Sequence, residues 1–171
     1  MKTRFIAILL TGLIATLYGI PSDASDKVSS GAEKETKIIK IPDATYMYAE
    51  RDTCELFMDV YKPAAGSEIK FEGKTKPTIL FMFGGGFKQG TRDDESYHRW
   101  FKQLTDNGYR VISIDYRLGL KGSTKVGVAQ VNALDAAIHL AVEDLFSATN
   151  FIIENADQLD VDPSSIIVSG S

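Results

Sequence analysis

Residues 78–87 read Thr-Ile-Leu-Phe-Met-Phe-Gly-Gly-Gly-Phe, a run of apolar residues that ends in three glycines. An unbroken apolar run of this length is typical of a strand covered on both faces, as in parallel sheets. Glycines have no Cβ, so the loop after such a strand can present its backbone N–H groups freely. The stretch therefore predicts a buried parallel strand that carries a glycine loop to the edge of a sheet.

The elements on both sides of this stretch predict an α/β fold. Upstream, two β-prone runs at 46–48 and 56–61 are separated by a polar turn, which predicts an antiparallel hairpin. Downstream, helices alternate with strands: a helix at 94–107, a strand at 110–116, a helix at 131–156 and a strand at 165–169. Strands that alternate with helices form right-handed crossovers and a mostly parallel sheet with flanking helices.

Side chains within these elements carry further expectations. The long helix is predicted to bury one apolar stripe, made of Leu134, Ile138, Ala141, Leu145 and Ile152. His98 is expected on the solvent side of the first helix, and His139 beside the apolar stripe of the second. Cys54 is expected to be a half-buried strand residue rather than a reactive thiol.

Composition limits the classes of function. The chain has 171 residues, 44% of them hydrophobic and 25% charged, which suits one domain with a real core. A net charge of −4 gives no electrostatic reason to expect a nucleic-acid partner. With one cysteine, the chain forms no internal disulfide and supplies no multi-cysteine metal site. No metal and no organic cofactor is implied.

The first residues predict an export signal. Lys2 and Arg4 precede an apolar run at 5–18, and small residues follow at 22–24. This is the layout of a secretory signal peptide, which we assign to 1–24, with a flexible leader at 25–40 and the folded domain at 41–171. An uncleaved membrane anchor is the alternative, but the apolar run is shorter than the ~20 residues of a membrane span. We therefore expect a periplasmic or extracellular protein that is free of the membrane after cleavage.

The glycine loop has three interpretations. It is a simple flexible turn, a set of donors for a developing oxyanion, or a phosphate-binding loop. A dinucleotide fingerprint that starts at Gly84 needs glycine at position 89, which is Gln89, and Gly90 comes one place late. No Gly-Lys-Ser/Thr closes the loop either. The spacing thus argues against a nucleotide-binding α/β module.

Five segments together resemble one family. The chain is similar to the hormone-sensitive-lipase-like α/β-hydrolases, and within them to the bacterial feruloyl- and acetyl-esterase-like branch. The segment at 83–87 resembles the family's HGGG loop, with Phe83 in place of the usual histidine. The other matching segments follow in family order: 59–63, the D-Y-R-L strand end at 113–118, 141–145, and 167–171, which resembles the strand that enters G-x-S-x-G.

The resemblance implies a carboxylic-ester hydrolase with a serine nucleophile. The N–H groups of Gly85 and Gly86 would be the oxyanion donors, Gly84 would permit the turn, and Phe87 would edge the acyl pocket. The family roles of three further side chains are structural: Asp115, Arg117 and Asp144. Substrates would be small-molecule or carbohydrate-linked esters.

The same resemblance sets the register of the nucleophile elbow. Gly170 takes the place two residues before the nucleophile, so Ser171 is the middle residue and the serine is expected at the next position. The acid and the histidine of the triad come later in this family, so neither His98 nor His139 is expected to be the base. We accordingly expect a fold truncated after the strand that enters the elbow, and a polypeptide that is inactive alone. A non-catalytic product of a truncated gene is the alternative.

Cleavage of the signal peptide predicts a mature N-terminus near Ser25. Mass spectrometry of protein recovered from outside the cytoplasm should show a chain that begins within a few residues of this position. Exported material with Met1 intact would contradict the expectation.

Overall fold

The computed structural model describes residues 38–67 and 77–171. The signal peptide predicted at 1–24 lies outside the described residues, and so does the leader predicted at 25–40 except for its last three residues. Within the described part, the order of elements agrees with the prediction. The strands are β1 (Ala44–Arg51), β2 (Cys54–Tyr61), β3 (Thr78–Met82), β4 (Arg110–Ile114) and β5 (Ile166–Gly170). The α-helices are α1 (His98–Asp106), α2 (Val128–Glu154) and α3 (Ala156–Leu159), and a 3-10 turn (Glu95–Tyr97) precedes α1.

The strands form one mixed sheet in the order β1-β2-β4-β3-β5. β1 and β2 form the predicted antiparallel hairpin, and β2 joins the rest of the sheet through an antiparallel pairing with β4. β3 pairs in parallel with β4 on one side and with β5 on the other. Among the described strands, β5 pairs with β3 alone, so it forms an edge, and its Ile167 and Val168 are exposed.

Apolar side chains cover both faces of the sheet, as an unbroken apolar strand requires. On one face, Leu80 of β3 joins a cluster that includes Ala148 and Ile152 of α2. On the other face, Phe81 joins a cluster that includes Phe101 of α1. Consecutive residues of β3 thus face opposite helices, because successive side chains of a strand alternate between the two faces.

The predicted buried stripe of α2 is partly wrong. Ala141 and Ile152 are buried, but Leu134 is 39% exposed and Ile138 is 42% exposed. The helix instead turns its small residues inward, with Ala137, Ala141 and Ala148 all buried. Small side chains let the helix backbone approach its neighbours closely, which is why the larger residues lie to one side of the contact.

By length and apolar composition alone, α2 would also pass as a membrane span among the described residues. A core helix of a soluble protein passes the same test. Ala148 and Ile152 pack into the cluster on the sheet, which is the arrangement of a core helix. The packing accounts for the buried side chains of α2, whereas Val131, Val142 and Phe146 on the same helix are exposed.

A buried carboxylate ties α2 to two other parts of the fold. Asp144 is 0% exposed, and its carboxylate contacts the guanidinium of Arg51 at the end of β1 and that of Arg117 after β4. The Arg117 backbone N–H also donates to Asp144 at 2.9 Å. Hydrogen bonds to Asp144 raise the pKa of Arg117, so this guanidinium stays charged. The structural role expected for Arg117 and Asp144 is confirmed.

Replacing Asp144 with alanine should lower the free energy of unfolding by about 3–5 kcal/mol, because two guanidinium groups lose a buried partner. Asp135→Ala is the matched control, since Asp135 lies on the same helix, is 73% exposed and pairs with the exposed His139. We expect this control to change stability by less than about 0.5 kcal/mol. Urea unfolding of both variants measures the difference, and equal losses would refute the role given to Asp144.

Candidate active site

A crevice opens where the parallel strands end. The chain leaves β3 toward α1 on one face of the sheet and leaves β4 toward α2 on the other. Adjacent parallel strands whose connections depart in opposite directions leave a crevice at their carboxyl ends, where α/β proteins bind ligands. A cavity of about 580 Å³ lies at this edge of the sheet. Its lining residues are Gly84, Gly85, Gln89, Gly90, Thr91, Asp94, Tyr97 and Ser171.

The glycine loop and the end of β5 meet in this cavity. Ser171 follows β5, and its backbone N–H donates to the Met82 carbonyl oxygen at 3.3 Å. A Cβ added to Gly84 would lie 2.8 Å from the backbone oxygen of Ser171, closer than real Cβ contacts come. Glycine at position 84 therefore leaves the space that Ser171 occupies. The two segments singled out in the sequence, 84–86 and 170–171, are neighbours in space.

The backbone of the loop requires glycine at position 85. Gly85 has a φ of +131°, which side-chain-bearing residues rarely adopt, and an added Cβ would overlap the Gln89 carbonyl oxygen. The Gly85 carbonyl accepts the N–H of Lys88 at 3.2 Å, which closes the loop as a turn. Gly86 has a φ of +63° and open space around it. The loop is a defined turn rather than an unstructured connection.

Two tyrosines hold the start of the loop. The Tyr116 hydroxyl donates to the Phe83 carbonyl oxygen at 2.7 Å, and the Gly84 N–H donates to the Tyr97 hydroxyl at 3.1 Å. Tyr97 comes just before α1, and Tyr116 comes just after β4. Two segments that follow β3 along the chain thus contribute one contact each to the loop.

Arg92 fixes the far end of the loop segment to the sheet. Its guanidinium lies 3.0 Å from the Asp59 carboxylate and 2.7 Å from the Asp115 carboxylate, and 5.6 Å from the centre of the Phe57 ring. Its carbonyl oxygen accepts the hydroxyl of Ser113 at 2.7 Å. Burial tends to lower the pKa of Arg92, but Asp115 and Asp59 raise it overall, so the guanidinium stays charged between them.

Asp115 is a part of this framework. Burial raises the pKa of Asp115, and the neighbouring Arg92 opposes that rise. The Phe57 backbone N–H donates to the same carboxylate at 3.3 Å. The contacts of Asp115 join a loop residue to two strands, which confirms the structural role expected for it.

The cavity itself carries one charged side chain among its described lining residues, Asp94. Asp94 accepts the Ser96 N–H at 2.8 Å and thereby caps the 3-10 turn. Hydrogen bonding from Ser96 lowers the pKa of Asp94, so the carboxylate is ionised at neutral pH. Because Asp94 is exposed, water screens its charge.

Three predicted site residues line the cavity and three do not. Gly84, Gly85 and Ser171 are among its lining residues, whereas Gly86, Phe87 and Gly170 are not. The Phe87 ring packs edge-on against Tyr116 with a centroid distance of 6.1 Å, and its carbonyl accepts the Leu120 N–H at 2.9 Å. The roles given to Gly86 as a donor and to Phe87 at the acyl pocket stay predictions.

Gly170 does not show the steric demand that its elbow position suggests. An added Cβ there would lie 3.6 Å from the Met82 carbonyl oxygen, which is an ordinary contact. The close approach to the residue that follows β5 is instead at Gly84. That Gly170 lies two residues before the nucleophile stays a prediction.

Neither histidine lies at the cavity. The solvent-side placement expected for His98 is wrong, since it is 5% exposed, and its Nδ1 accepts the Lys40 N–H at 3.2 Å. The reason is that His98 begins α1 one turn before Phe101 and shares its inward face. His139 is 75% exposed and pairs with Asp135 on its own helix. Neither side chain is among the cavity's lining residues.

Comparison with known proteins identifies the family. The family model described as BD-FAE matches residues 58–171. The chain belongs to the BD-FAE family. The match takes in the strands that form the cavity and both helices α1 and α2. The BD-FAE chain is therefore an esterase-family protein of the α/β-hydrolase fold, as its sequence predicted.

Relatives of known name agree with this family. Gut esterase 1 of Caenorhabditis briggsae is 29% identical over 115 residues, which are 67% of this chain and 18% of the relative. The non-reducing polyketide synthase ausA of Emericella nidulans is 31% identical over 118 residues, 69% of this chain and 4% of the synthase. The BD-FAE chain thus spans less than a fifth of either relative.

A solved structure with the same fold is esterase Est2 of Thermogutta terrifontis with bound propionate. It is 26% identical, with a TM-score of 0.54, and the match covers 75% of this chain and 40% of Est2. A second structure shows the same esterase phosphonylated by sarin, at 27% identity and a TM-score of 0.53, covering 77% of this chain and 41% of Est2. The BD-FAE chain therefore spans about two fifths of this structural relative.

Sequence reasoning missed the side chains that fix the loop. Neither Tyr97 nor Arg92 lies in a recognisable sequence motif. The helical spacing of apolar residues marks Tyr97 only as one more member of an apolar face. Its ring does pack on that face, 4.8 Å from Phe81, but the hydroxyl reaches past the face to Gly84. The sequence offered one signal for this contact: a tyrosine on an apolar helix face, whose hydroxyl needs a hydrogen-bond partner once the ring is packed.

Gly85→Ala should destabilise the BD-FAE chain far more than Gly122→Ala. Both glycines have positive φ, but an added Cβ overlaps backbone only at Gly85, and nothing lies within 4 Å at Gly122. We expect Gly122→Ala to cost about 1 kcal/mol of left-handed strain, and Gly85→Ala at least about 2 kcal/mol more. Urea denaturation checks both, and similar losses would contradict the tight turn at residue 85.

Proposed function

We propose that this chain is the N-terminal part of a serine carboxylesterase whose nucleophile directly follows Ser171. The observation that carries the proposal is the approach of Ser171 to Gly84, within 2.8 Å of where a Cβ would stand, beside a cavity at the carboxyl ends of the parallel strands. A residue placed immediately after Ser171 would emerge at the same glycine loop. This is the position from which a nucleophile reaches an ester carbonyl held against the loop.

The chemistry follows from this arrangement. The serine oxygen attacks the ester carbonyl carbon while a base accepts its proton, and the carbonyl oxygen becomes an oxyanion. The N–H groups of Gly85 and Gly86 are proposed to bind the oxyanion, and loss of one such donor typically costs about 10²–10³ in kcat. The base then gives its proton to the leaving alcohol. Water attacks the resulting acyl-enzyme and releases the acid.

Two properties of the structural relative support the proposal. Est2 is phosphonylated by sarin, and an organophosphonate that bonds to a protein marks a nucleophilic group in that protein. Est2 also binds propionate, a short carboxylic acid of the kind that ester hydrolysis releases. We therefore propose a small-molecule ester with a short acyl group as substrate, with a carbohydrate-linked alcohol as an option.

The cellular location of the protein is a separate proposal. Lys2, Arg4 and the apolar run at 5–18 support export, which would place the enzyme in the periplasm or outside the cell. Neither nucleic acid nor membrane is proposed as a partner of the mature protein.

The coding DNA beyond the codon of Ser171 gives the first test. We expect a serine codon next and a glycine codon two places later, which would complete G-x-S-x-G from Gly170. The chain expressed through that continuation should hydrolyse p-nitrophenyl acetate, and the polypeptide of residues 1–171 should not. His139→Gln is the control, because this exposed side chain lies away from the cavity and its loss should leave turnover unchanged.

Two outcomes would reject the proposal. A stop codon directly after Ser171 would favour a non-catalytic gene product. Robust ester turnover by the 171-residue polypeptide would show that the nucleophile lies within the present sequence.

A further inference from the structure

A single peptide unit of the loop is hydrogen-bonded at both of its polar ends. The Phe83 carbonyl oxygen accepts the Tyr116 hydroxyl at 2.7 Å, and the Gly84 N–H donates to the Tyr97 hydroxyl at 3.1 Å. These two groups belong to the same peptide bond. Because the peptide is planar, holding its C=O and its N–H together fixes its rotation about the line between the two Cα atoms.

The hydroxyls that hold this peptide are themselves held by aromatic packing. The Tyr116 ring stacks on Phe83 with a centroid distance of 4.5 Å and an interplanar angle of 27°. The Tyr97 ring meets Phe81 edge-on at 4.8 Å and stacks on Phe101 at 6.2 Å. Rings with neighbours on their faces and edges have little freedom, so the hydroxyl positions are set before any ligand binds.

The orientation of this peptide matters for the residues that follow it. Rotation of this peptide changes the φ of Gly84, and a glycine has few steric restraints of its own, so residue 84 can follow the rotation. A rotated 83–84 peptide could turn the Phe83 carbonyl oxygen toward the cavity. A carbonyl oxygen there would repel a developing oxyanion and would displace the N–H groups of the next two residues.

We propose that Tyr97 and Tyr116 are the positioning residues of the oxyanion site: together they lock the 83–84 peptide so that the Gly85 and Gly86 N–H groups are preorganised. This inference rests on the function proposed above. It also assigns the polar anchor of the loop. Where the resembling HGGG loops carry a histidine, this chain has Phe83, and two tyrosines from segments that follow β3 hold the backbone instead.

The lock also decides which N–H groups are free for the substrate. The Gly84 N–H is already engaged by Tyr97, so it is not an oxyanion donor. The next N–H along the loop is that of Gly85, which lines the cavity. The pair of tyrosines therefore selects the donors as well as orienting them.

Hydroxyl removal tests the lock in the chain read through the proposed nucleophile. Tyr97→Phe and Tyr116→Phe should each lower kcat for p-nitrophenyl acetate about ten- to a hundredfold, with KM changed less than about twofold, because the donors act in the transition state. Tyr61→Phe is the matched control. Tyr61 is buried in the same aromatic cluster, 5.0 Å from Phe101, and its hydroxyl has no hydrogen-bond partner among the described residues. Its kcat should stay at the wild-type value.

Amide hydrogen exchange gives a readout that does not depend on activity. By NMR, the Gly84 N–H should exchange about tenfold faster in Tyr97→Phe than in the wild type, while exchange at Gly84 stays unchanged in Tyr61→Phe. If Tyr116→Phe fails to fold, Tyr97→Phe, at a half-buried position, carries the test alone.

The outcomes separate the lock from the proposed function. A folded Tyr97→Phe variant with wild-type kcat overturns the lock, and so does a Tyr61→Phe variant that loses as much activity as the other two. A wild-type protein without esterase activity refutes the proposed function instead. In that case Gly84 exchange decides whether Tyr97 holds the peptide, and an unchanged exchange rate overturns the lock as well.

Discussion

The parallel pairing of β3 with strands on both sides is the constraint on which the rest of the structure depends. β4 and β5 come from distant parts of the chain, yet both pair with β3. Leu80 of β3 pairs with Ile112 of β4 on one side and with Val168 of β5 on the other. Parallel alignment brings the carboxyl ends of three strands to one edge. Gly84 and Ser171, which meet at the candidate site, each follow one of these ends within two residues.

Tight backbone approach, rather than polar side chains, shapes the candidate site. Gly84 makes room for Ser171, and Gly85 makes room for Gln89. A hydrolase of this proposed kind needs donors that point at a charge formed only during the reaction, and backbone N–H groups serve if they cannot move. The aromatic cluster on the α1 face supplies the rigidity, because Phe81, Tyr97 and Phe101 pack against one another beneath the loop.

Structural features that depend on residues close together in the chain were predictable from the sequence. The turn between β1 and β2, the buried β3 and Gly108, whose φ is +82° after α1, all follow from residue type and local spacing. The family resemblance supplied the order of the segments and the structural roles of Asp115, Arg117 and Asp144.

Contacts across the fold were beyond prediction from pattern. The side of α2 that meets the core depends on how closely Ala137 and Ala148 approach their neighbours, so Leu134 and Ile138 were wrongly assigned to the buried stripe. His98 was misplaced for a similar reason, since its burial depends on Phe101 and on Lys40, 58 residues away. The hydroxyl of Tyr97 reaches Gly84 only because α1 packs beside the end of β3.

The replacement of a histidine by Phe83 affects how the anchor of the loop responds to pH. An imidazole anchor gains a proton near pH 6.5, so a loop that relied on it would change charge within the range that cells and their surroundings visit. Burial raises the pKa of Tyr116 above its usual value near 10. Its hydroxyl therefore keeps its proton, and its bond to Phe83, through mildly acidic and mildly alkaline surroundings alike. With the export proposed above, this loop anchor would keep the same charge in a medium whose pH the cell does not control.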